Sequence, residues 1–461
     1  MKKLFWVKAL SANRVKFLHY IFSDASSKIL VFLSIPIYTR ILSAAEYGNY
    51  SIFNSTSAML VIILSLNFQS VVTRKYYENN EEFEEFLGTL LITVFILTLL
   101  EYLPFVFIFI HLGFSFRILS FLFVISITKA YINIITQTYI AQNKSVKYGI
   151  TIFLYSFINF ALSIIFLLFF NPKTFVLLVY ALTLTNFITL LYLLIKEKKT
   201  YKLVFKLKFL FYACKFSIPL IAHSLSMLIL IQFDRIMINW FYSAKECGLY
   251  SLSYNIGMIM SIVVLSINKA WVPSFYSYLN NKKTGKISDN LSYYFNLLTI
   301  IFCFAMLFYE PICMFFIPLE FYTSFQIIPI IFFTYVIQFL YFINANYLFY
   351  YKKTKLIALI TFICALVNVL LNYLLFRHYN YYVASITTLI SYLLLFTITQ
   401  FVNKKVLGSN KIKIGLFLKK LFLMMLIIIL YYVSLKLFVI MILSTIVFCF
   451  KDLFNDIRRR S

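Results

Sequence analysis

Nine glycines and eight prolines are few for a chain of 461 residues, and no phosphate-cradling glycine loop can be drawn from them. The six cysteines, Cys214, Cys247, Cys303, Cys313, Cys364 and Cys449, show no Cys-x-x-Cys spacing, and the four histidines never pair at ligand spacing. A zinc-type site and a disulfide framework are thereby excluded. Acidic side chains number 16 against 42 Lys and Arg, and no paired carboxylates or nucleophile constellation stands out among them. The expectation is of a protein that is not an enzyme, with no catalytic residue, no metal and no cofactor. Charge itself is scarce at 13% of residues, where a soluble domain carries about 25%.

What fills the chain instead is apolar. Hydrophobic residues make up 62%, in runs close to the roughly 20 residues that a helix needs to cross a bilayer. The alternating ten-residue segments of a barrel are missing, so the spans read as helices. The fold class is all-α: a polytopic membrane protein with about 14 transmembrane helices. The last two, 416–434 and 436–450, are short enough to form a re-entrant hairpin instead. No small-residue cleavage pattern follows the first run, so the N-terminus reads as a basic cytoplasmic arm rather than a signal peptide.

Lys and Arg orient these spans. In alternate segments 31 of them fall on one side and six on the other, with five inside spans, which by the positive-inside rule puts both termini in the cytoplasm. The net charge of +26 is then accounted for by topology and anionic lipid, with no nucleic-acid partner.

A nine-residue pattern occurs twice, 200 residues apart: Ser43-Ala44-Ala45-Glu46-Tyr47-Gly48-Asn49-Tyr50-Ser51 and Ser243-Ala244-Lys245-Glu246-Cys247-Gly248-Leu249-Tyr250-Ser251, with six identities. The charge-derived topology puts both copies on the non-cytoplasmic side, after spans one and seven. That arrangement predicts two pseudo-symmetric six-helix bundles around a central cavity. Their predicted limits are 1–195 for the N-terminal lobe, 196–213 for a basic cytoplasmic linker and 214–402 for the C-terminal lobe. Residues 403–461 form an additional helix pair and basic tail. Pro36 and Pro219 lie in spans one and seven, where proline permits a bend.

Charges inside spans are costly, about 2.5 to 3.5 kcal/mol at the centre on insertion scales, and so they point to a cavity or a buried partner. Lys28 lies near midplane with Asp24 one turn earlier on the same face, to be read as cavity lining or as a structural ion pair. Lys129 is also near mid-depth, and Asn133 and Gln137 continue its face at four-residue spacing. Asp234 and Arg235 stand in span seven on different faces, with His223 and Gln232 on the same helix. Lys215 and Lys269 are placed to snorkel at span ends, while Arg40 and Arg74 could gate a cavity mouth. The amides Asn54, Asn67, Gln69, Asn255, Asn268, Gln338, Asn344, Asn346, Asn368 and Asn372 read as further lining, and tyrosines suit sugar faces. A cation-rich polar cavity suits a ligand with a phosphate-type anion and a hydroxyl-rich body.

Several segments carry a family likeness. Ser34-Ile35-Pro36-Ile37-Tyr38-Thr39-Arg40-Ile41-Leu42-Ser43 with Glu46-Tyr47-Gly48, Thr73-Arg74-Lys75-Tyr76-Tyr77, Phe216-Ser217-Ile218-Pro219-Leu220-Ile221, Asp234-Arg235 and Gly248-Leu249-Tyr250-Ser251 follow in order. Asn268-Lys269-Ala270-Trp271-Val272-Pro273 matches Asn-Gln-Ala-Trp-x-Pro, with lysine in place of glutamine. In these segments, across about 400 residues, the chain resembles the Wzx-type polysaccharide flippases of the multidrug/oligosaccharidyl-lipid/polysaccharide exporter superfamily. The resemblance implies a bacterial inner-membrane protein that moves an undecaprenyl-pyrophosphate-linked oligosaccharide repeat unit outward by alternating access, for O-antigen or another surface polysaccharide. It implies substrate contacts at Lys28, Lys129 and Arg235, with Arg40, Arg74, Asn133, Gln137 and Lys269 as further cavity candidates and Asp24 and Asp234 as candidates for ion coupling. The implied partners are the lipid-linked oligosaccharide, the bilayer, and glycan polymerase and chain-length machinery. Two other readings stand beside it: an ion-coupled drug exporter of the same superfamily, and an integral membrane glycan polymerase or glycosyltransferase.

Overall fold

The structure, a computed structural model, describes residues 26–78, 81–111, 115–281, 284–407 and 415–458. The basic arm and Asp24 lie outside the described residues. The regular elements among those described are helices, with no strand among them. In chain order they form α1 (26–41), α2 (Ala44–Leu64), α3 (Gln69–Glu78), α4 (Phe83–His111), α5 (Phe116–Ala141), α6 (Ser145–Phe169), α7 (Phe175–Lys196), α8 (Leu207–Leu228) and α9 (Asp234–Phe241). There follow α10 (Ala244–Asn280), α11 (Thr284–Phe316), α12 (Ile328–Tyr350), α13 (Thr354–Leu375), α14 (Val383–Leu407), α15 (Gly415–Val433) and α16 (Leu435–Arg458). Among the described residues ten helices are long and apolar enough to span a membrane, or eleven if the bent pair α2 and α3 is one span. The protein is a polytopic membrane protein.

Two compact units divide the chain, the first ending at Gly248 and the second beginning at Leu249. In the first, α5 is the central helix, and 61% of its apolar window is buried. Phe68, Phe86, Leu90, Ile134, Tyr139, Leu193 and Phe209 form one core beside it. Lipid tails are as apolar as these side chains, so close packing and hydrogen bonds hold the bundle rather than burial from water.

The apolar run 50–72, long enough for one span, is broken. α2 ends at Leu64, α3 starts at Gln69, and the two axes differ by 42°. Leu66 and Asn67 between them have positive φ, 47° and 54°. Backbone groups freed by such a break must find other partners at membrane depth. Here Asn67 N–H donates to the Ile62 carbonyl (3.0 Å), and its side chain donates to Ser224 Oγ on α8 (3.1 Å).

The repeated pattern opens α2 and α10, and its Ser-x-x-Glu works as a helix start. Ser43 Oγ accepts the Glu46 N–H (3.3 Å), and Ser243 Oγ accepts the Lys245 N–H (3.1 Å) while donating to the Glu246 carboxylate. Glu46 in turn accepts the Phe175 N–H at 2.6 Å, fixing the start of α7. The two first turns cross at Ala44 and Gly48 against Ala244 and Gly248. A Cβ on Gly48 would overlap the Ala244 carbonyl oxygen and lie 2.8 Å from the Gly248 nitrogen. One on Gly248 would overlap the Ala44 carbonyl and lie 3.0 Å from the Gly48 nitrogen. This is a small-x-x-x-small crossing in which backbone meets backbone, and Cys247 Sγ adds a contact to the Gly48 carbonyl at 3.8 Å.

At the other end of this unit the basic linker is strapped down. Lys202, Lys206 and Lys208 pair with Glu84, Glu85 and Glu82 at the N-terminus of α4, where carboxylates also suit the helix dipole. Backbone bonds register the strap: Lys202 N–H to the Glu84 carbonyl (3.0 Å), Thr89 Oγ1 to the Val204 carbonyl (3.0 Å) and Lys206 N–H to Thr89 Oγ1 (3.2 Å). Gly88 permits the approach, because a Cβ there would overlap the Lys202 carbonyl oxygen.

In the second unit α12 is central, with 83% of its apolar window buried. The amides read from the sequence as cavity lining are largely interior here, which corrects that expectation. Gln338 donates to Tyr392 Oη (3.1 Å), Asn346 to Asn268 Oδ1 (2.8 Å) and Asn403 to the Asn344 carbonyl (3.0 Å). Asn368 and Asn372 pair with each other and with Thr388 and Thr387. Their surroundings are apolar, so an amide is more stable hydrogen-bonded across helices than left open.

Candidate functional site

The polar and charged residues of the first unit's spans form the candidate site. On α5, Lys129 Nζ lies 3.6 Å from the centre of the Tyr155 ring on α6. A desolvated cation–π contact of this kind is worth about 2 kcal/mol, enough to offset much of the cost of placing the ammonium within a span. Asn133, next along the same face, is half-buried. Gln137 turns to α3 and donates to Thr73 Oγ1 at 2.9 Å. The predicted stripe on α5 thus serves two neighbours, α6 at Lys129 and α3 at Gln137.

The other half of the site is the span Leu207–Phe241. It runs without interruption through Pro219, and its irregularity comes later, as a wide π turn at Ile229–Phe233 directly before Asp234. Such turns often mark functional positions because they re-aim the following side chains. Asp234 is wholly buried and Arg235 is 6% exposed. His223, half-buried, precedes Ser224, the partner of Asn67.

Lys28 is half-buried on α1, and Arg40 is exposed at the end of the same helix. Arg74, exposed midway along α3, pairs with Glu78 at 2.6 Å and lies 3.7 Å over the Phe216 ring of α8, while Tyr212 donates to Glu78. Lys269, in the second unit, is exposed on α10, two residues before the fully buried Trp271. The structure therefore gathers Lys129 with Tyr155 and Arg74 with Glu78, Tyr212 and Phe216. Sequence reasoning passed over Lys75, a buried lysine facing the Phe209 and Tyr212 rings at 5.3 and 5.4 Å. Its signal was available as a cation flanked by apolar and aromatic residues one position from Arg74. It also passed over Glu197, buried between Tyr139 Oη (3.0 Å) and Lys147 Nζ (3.2 Å). No group of residues among those described could hold a metal ion.

Known proteins agree with this architecture. The Haemophilus influenzae "Lsg locus putative protein 1" is 25% identical over 349 residues, which cover 74% of this chain and 85% of that protein. An uncharacterized membrane protein from the same organism is 26% identical over 348 residues, covering 73% and 83%. Among solved structures, lipid II flippase MurJ in an inward closed conformation superposes with a TM-score of 0.73 at 14% identity, over 95% of this chain and 99% of that one. An inward-facing multidrug resistance MATE family transporter of the MOP superfamily gives 0.64 at 12% identity, over 83% and 96%. At these identities the two structures speak for the fold alone. The MatE family model matches residues 219–374, and the model described as "Polysaccharide biosynthesis protein" matches residues 16–279. That second match spans more than half of the sequence, and the chain belongs to the polysaccharide biosynthesis protein family.

Proposed function

We propose that this protein is a flippase that carries an undecaprenyl-pyrophosphate-linked oligosaccharide repeat unit from the inner to the outer leaflet of a bacterial cytoplasmic membrane, supplying O-antigen or another surface polysaccharide. The observation that carries the reading is Lys129, an ammonium kept inside the first bundle of a polysaccharide biosynthesis family member and held against an aromatic ring. A fixed cation at that depth offers a point charge to a pyrophosphate where water offers little competition. Lys28 and Arg235 supply the other anion contacts, Arg40, Arg74 and Lys269 the ends of the path, and Asn133 and Gln137 hydroxyl recognition. Asp234, and Asp24 ahead of Lys28, are the carboxylates available for ion coupling. Residues 1–195 and 214–402 act as the two lobes of an alternating-access cycle, joined by 196–213, with 403–461 as an added helix pair and both termini in the cytoplasm. The protein works without catalysis of its own and hands its cargo to glycan polymerase and chain-length machinery.

Deletion should leave single lipid-linked repeat units on the cytoplasmic leaflet, read by leaflet-specific analysis of lipid-linked glycans. Lys129→Ala or Lys28→Ala, at normal membrane levels, should abolish surface glycan; full retention would remove that residue from the mechanism. The MatE match over residues 219–374 supports a second reading, an ion-coupled drug exporter. A deletion strain that becomes drug-sensitive while its surface glycan stays intact would favour that alternative.

A further inference from the structure

Between α6 and α7 runs a cleft of about 120 Å³. Thr151 and Thr189 form its floor and are buried, while Leu154, Ile188 and Tyr192 form its rim and are each about two-fifths exposed. In a membrane protein that rim faces hydrocarbon, and α6 is the helix with least of its apolar window buried, 11%. The cleft therefore opens to the bilayer, and its lining includes Tyr155, the ring that holds Lys129.

Its basic end is unusual. On α7 side chains tilt toward the helix N-terminus, so Lys196 folds back along the cleft rather than away from it. Its Nζ donates to Tyr192 Oη and sits 4.8 Å from the ring centre. Lys147 lies one turn before Thr151 on α6, where the same tilt points it away from the cleft, and there it meets Glu197 at 3.2 Å. Glu197 is the only carboxylate in the stretch 144–199, and it is 3% exposed. Lys144, Lys198 and Lys199 are all exposed around it. An apolar furrow thus ends at a tyrosine-seated ammonium inside a surplus of cations.

We infer that this cleft is a binding site for an anionic phospholipid of the bilayer, with one acyl chain lying along Leu154, Ile188 and Tyr192 and the phosphate on Lys196. Charge selects the headgroup, because a zwitterionic lipid gains little from the surplus of lysines. The rim on the hydrocarbon side suits a resident bilayer lipid, and competition with the carrier lipid tests that choice. The inference stands independently of the flippase reading.

The test uses the purified full-length chain, stripped of lipid in detergent and offered phosphatidylglycerol or phosphatidylcholine, with bound lipids counted by native mass spectrometry. Phosphatidylglycerol should be retained preferentially. Lys196→Glu removes the phosphate ligand and Ile188→Trp fills the cleft, and each should lower phosphatidylglycerol retention about fivefold, the change matching the ~1 kcal/mol of one lysine near an anionic surface. Lys286→Glu, an equal charge change at an exposed position of α11, should leave retention unchanged. Unaltered melting temperatures will confirm that the variants fold. Equal retention of the two lipids would overturn the inference, as would wild-type retention by Lys196→Glu and Ile188→Trp. Displacement of phosphatidylglycerol by an equal concentration of undecaprenyl phosphate would overturn it too, by assigning the cleft to the carrier lipid.

Discussion

The two ends of the first unit are closed by opposite means. At the repeat end, α2 and α10 meet backbone to backbone at Gly48 and Gly248, with carbonyl oxygens where a side chain would stand. At the linker end, three lysines reach three glutamates across exposed ground, with Lys202 64% and Glu84 46% exposed. The first contact depends on shape and the second on charge. A contact of shape is all or nothing, because a crossing with no room for one methyl cannot be loosened by degrees. A contact of charge is graded by salt and pH.

The largest effect is therefore expected at the crossing. Gly48→Ala or Gly248→Ala sets a methyl against the backbone of a facing helix, where neither side has a flexible chain end to yield. Each should destabilise by about 3 kcal/mol, the upper part of the usual range for overpacking. In a detergent melt that is a fall of roughly 3 °C for a chain of this length. Gly285→Ala, with nothing within 4 Å of the added methyl, is the matched control and should melt with the wild type. Equal behaviour of Gly48→Ala and Gly285→Ala would mean that the crossing is loose and the contrast between the ends false. Gly88→Ala comes next. Its methyl meets the Lys202 backbone, but that partner is a loop strap that can lift, so the cost should stay near 1 kcal/mol, the lower end of the same range.

The crossing also shows where sequence reading stops. The starts at Ser43 and Ser243 are legible, because Ser-x-x-Glu before an apolar run is a capping pattern with a local cause. That the two copies touch is not legible: nothing local distinguishes two glycines that meet from two that only occupy equivalent places. The break after Leu64 escaped for a related reason. Left-handed turns usually announce themselves by glycine, and here Leu66 and Asn67 take that role, with the Ser224 side chain that engages Asn67 lying 157 residues away. The amides of the second unit were visible as polar residues in spans. Whether such a residue lines a cavity or bonds to a neighbour depends on partners as distant in sequence as Asn403 is from Asn344. Lys129 was found because charge inside a span is expensive wherever its partner lies, but Tyr155 was not, since one tyrosine among 36 carries no signal.

At the linker end the effects should be smaller and should yield to solvent. Glu84→Gln with Glu85→Gln removes one exposed and one half-buried pair, each worth about 1 kcal/mol. The backbone registration through Thr89 and Glu84 remains, so the double variant should stay folded and melt only slightly lower. Salt supplies the sharper measurement. In 1 M NaCl, where screening acts within about 3 Å, wild type and variant should converge, while the deficit of Gly48→Ala should persist. A deficit in the double variant that ignores salt would show that these carboxylates act through packing, and the distinction between the ends would fall.

The smallest effect is the dependence on acid. Lys208 donates to Glu82 and holds its carboxyl below the ordinary value of 4.5. A carboxyl with a lowered folded-state pKa binds protons less readily in the folded than in the unfolded chain. Its contribution is therefore complete above the ordinary value and is lost as the pH falls through the lowered one. Melting temperatures taken from pH 7 down to pH 4 should differ most near pH 7 and begin to converge below about 4.5, the wild type falling toward Glu82→Gln, which has no proton to gain at that position. The same titration on Gly48→Ala should run parallel to wild type, since no charge takes part in the crossing. If Gly48→Ala instead changed the acid limb, the two ends would be coupled through the bundle, and shape at one end would be setting charge at the other.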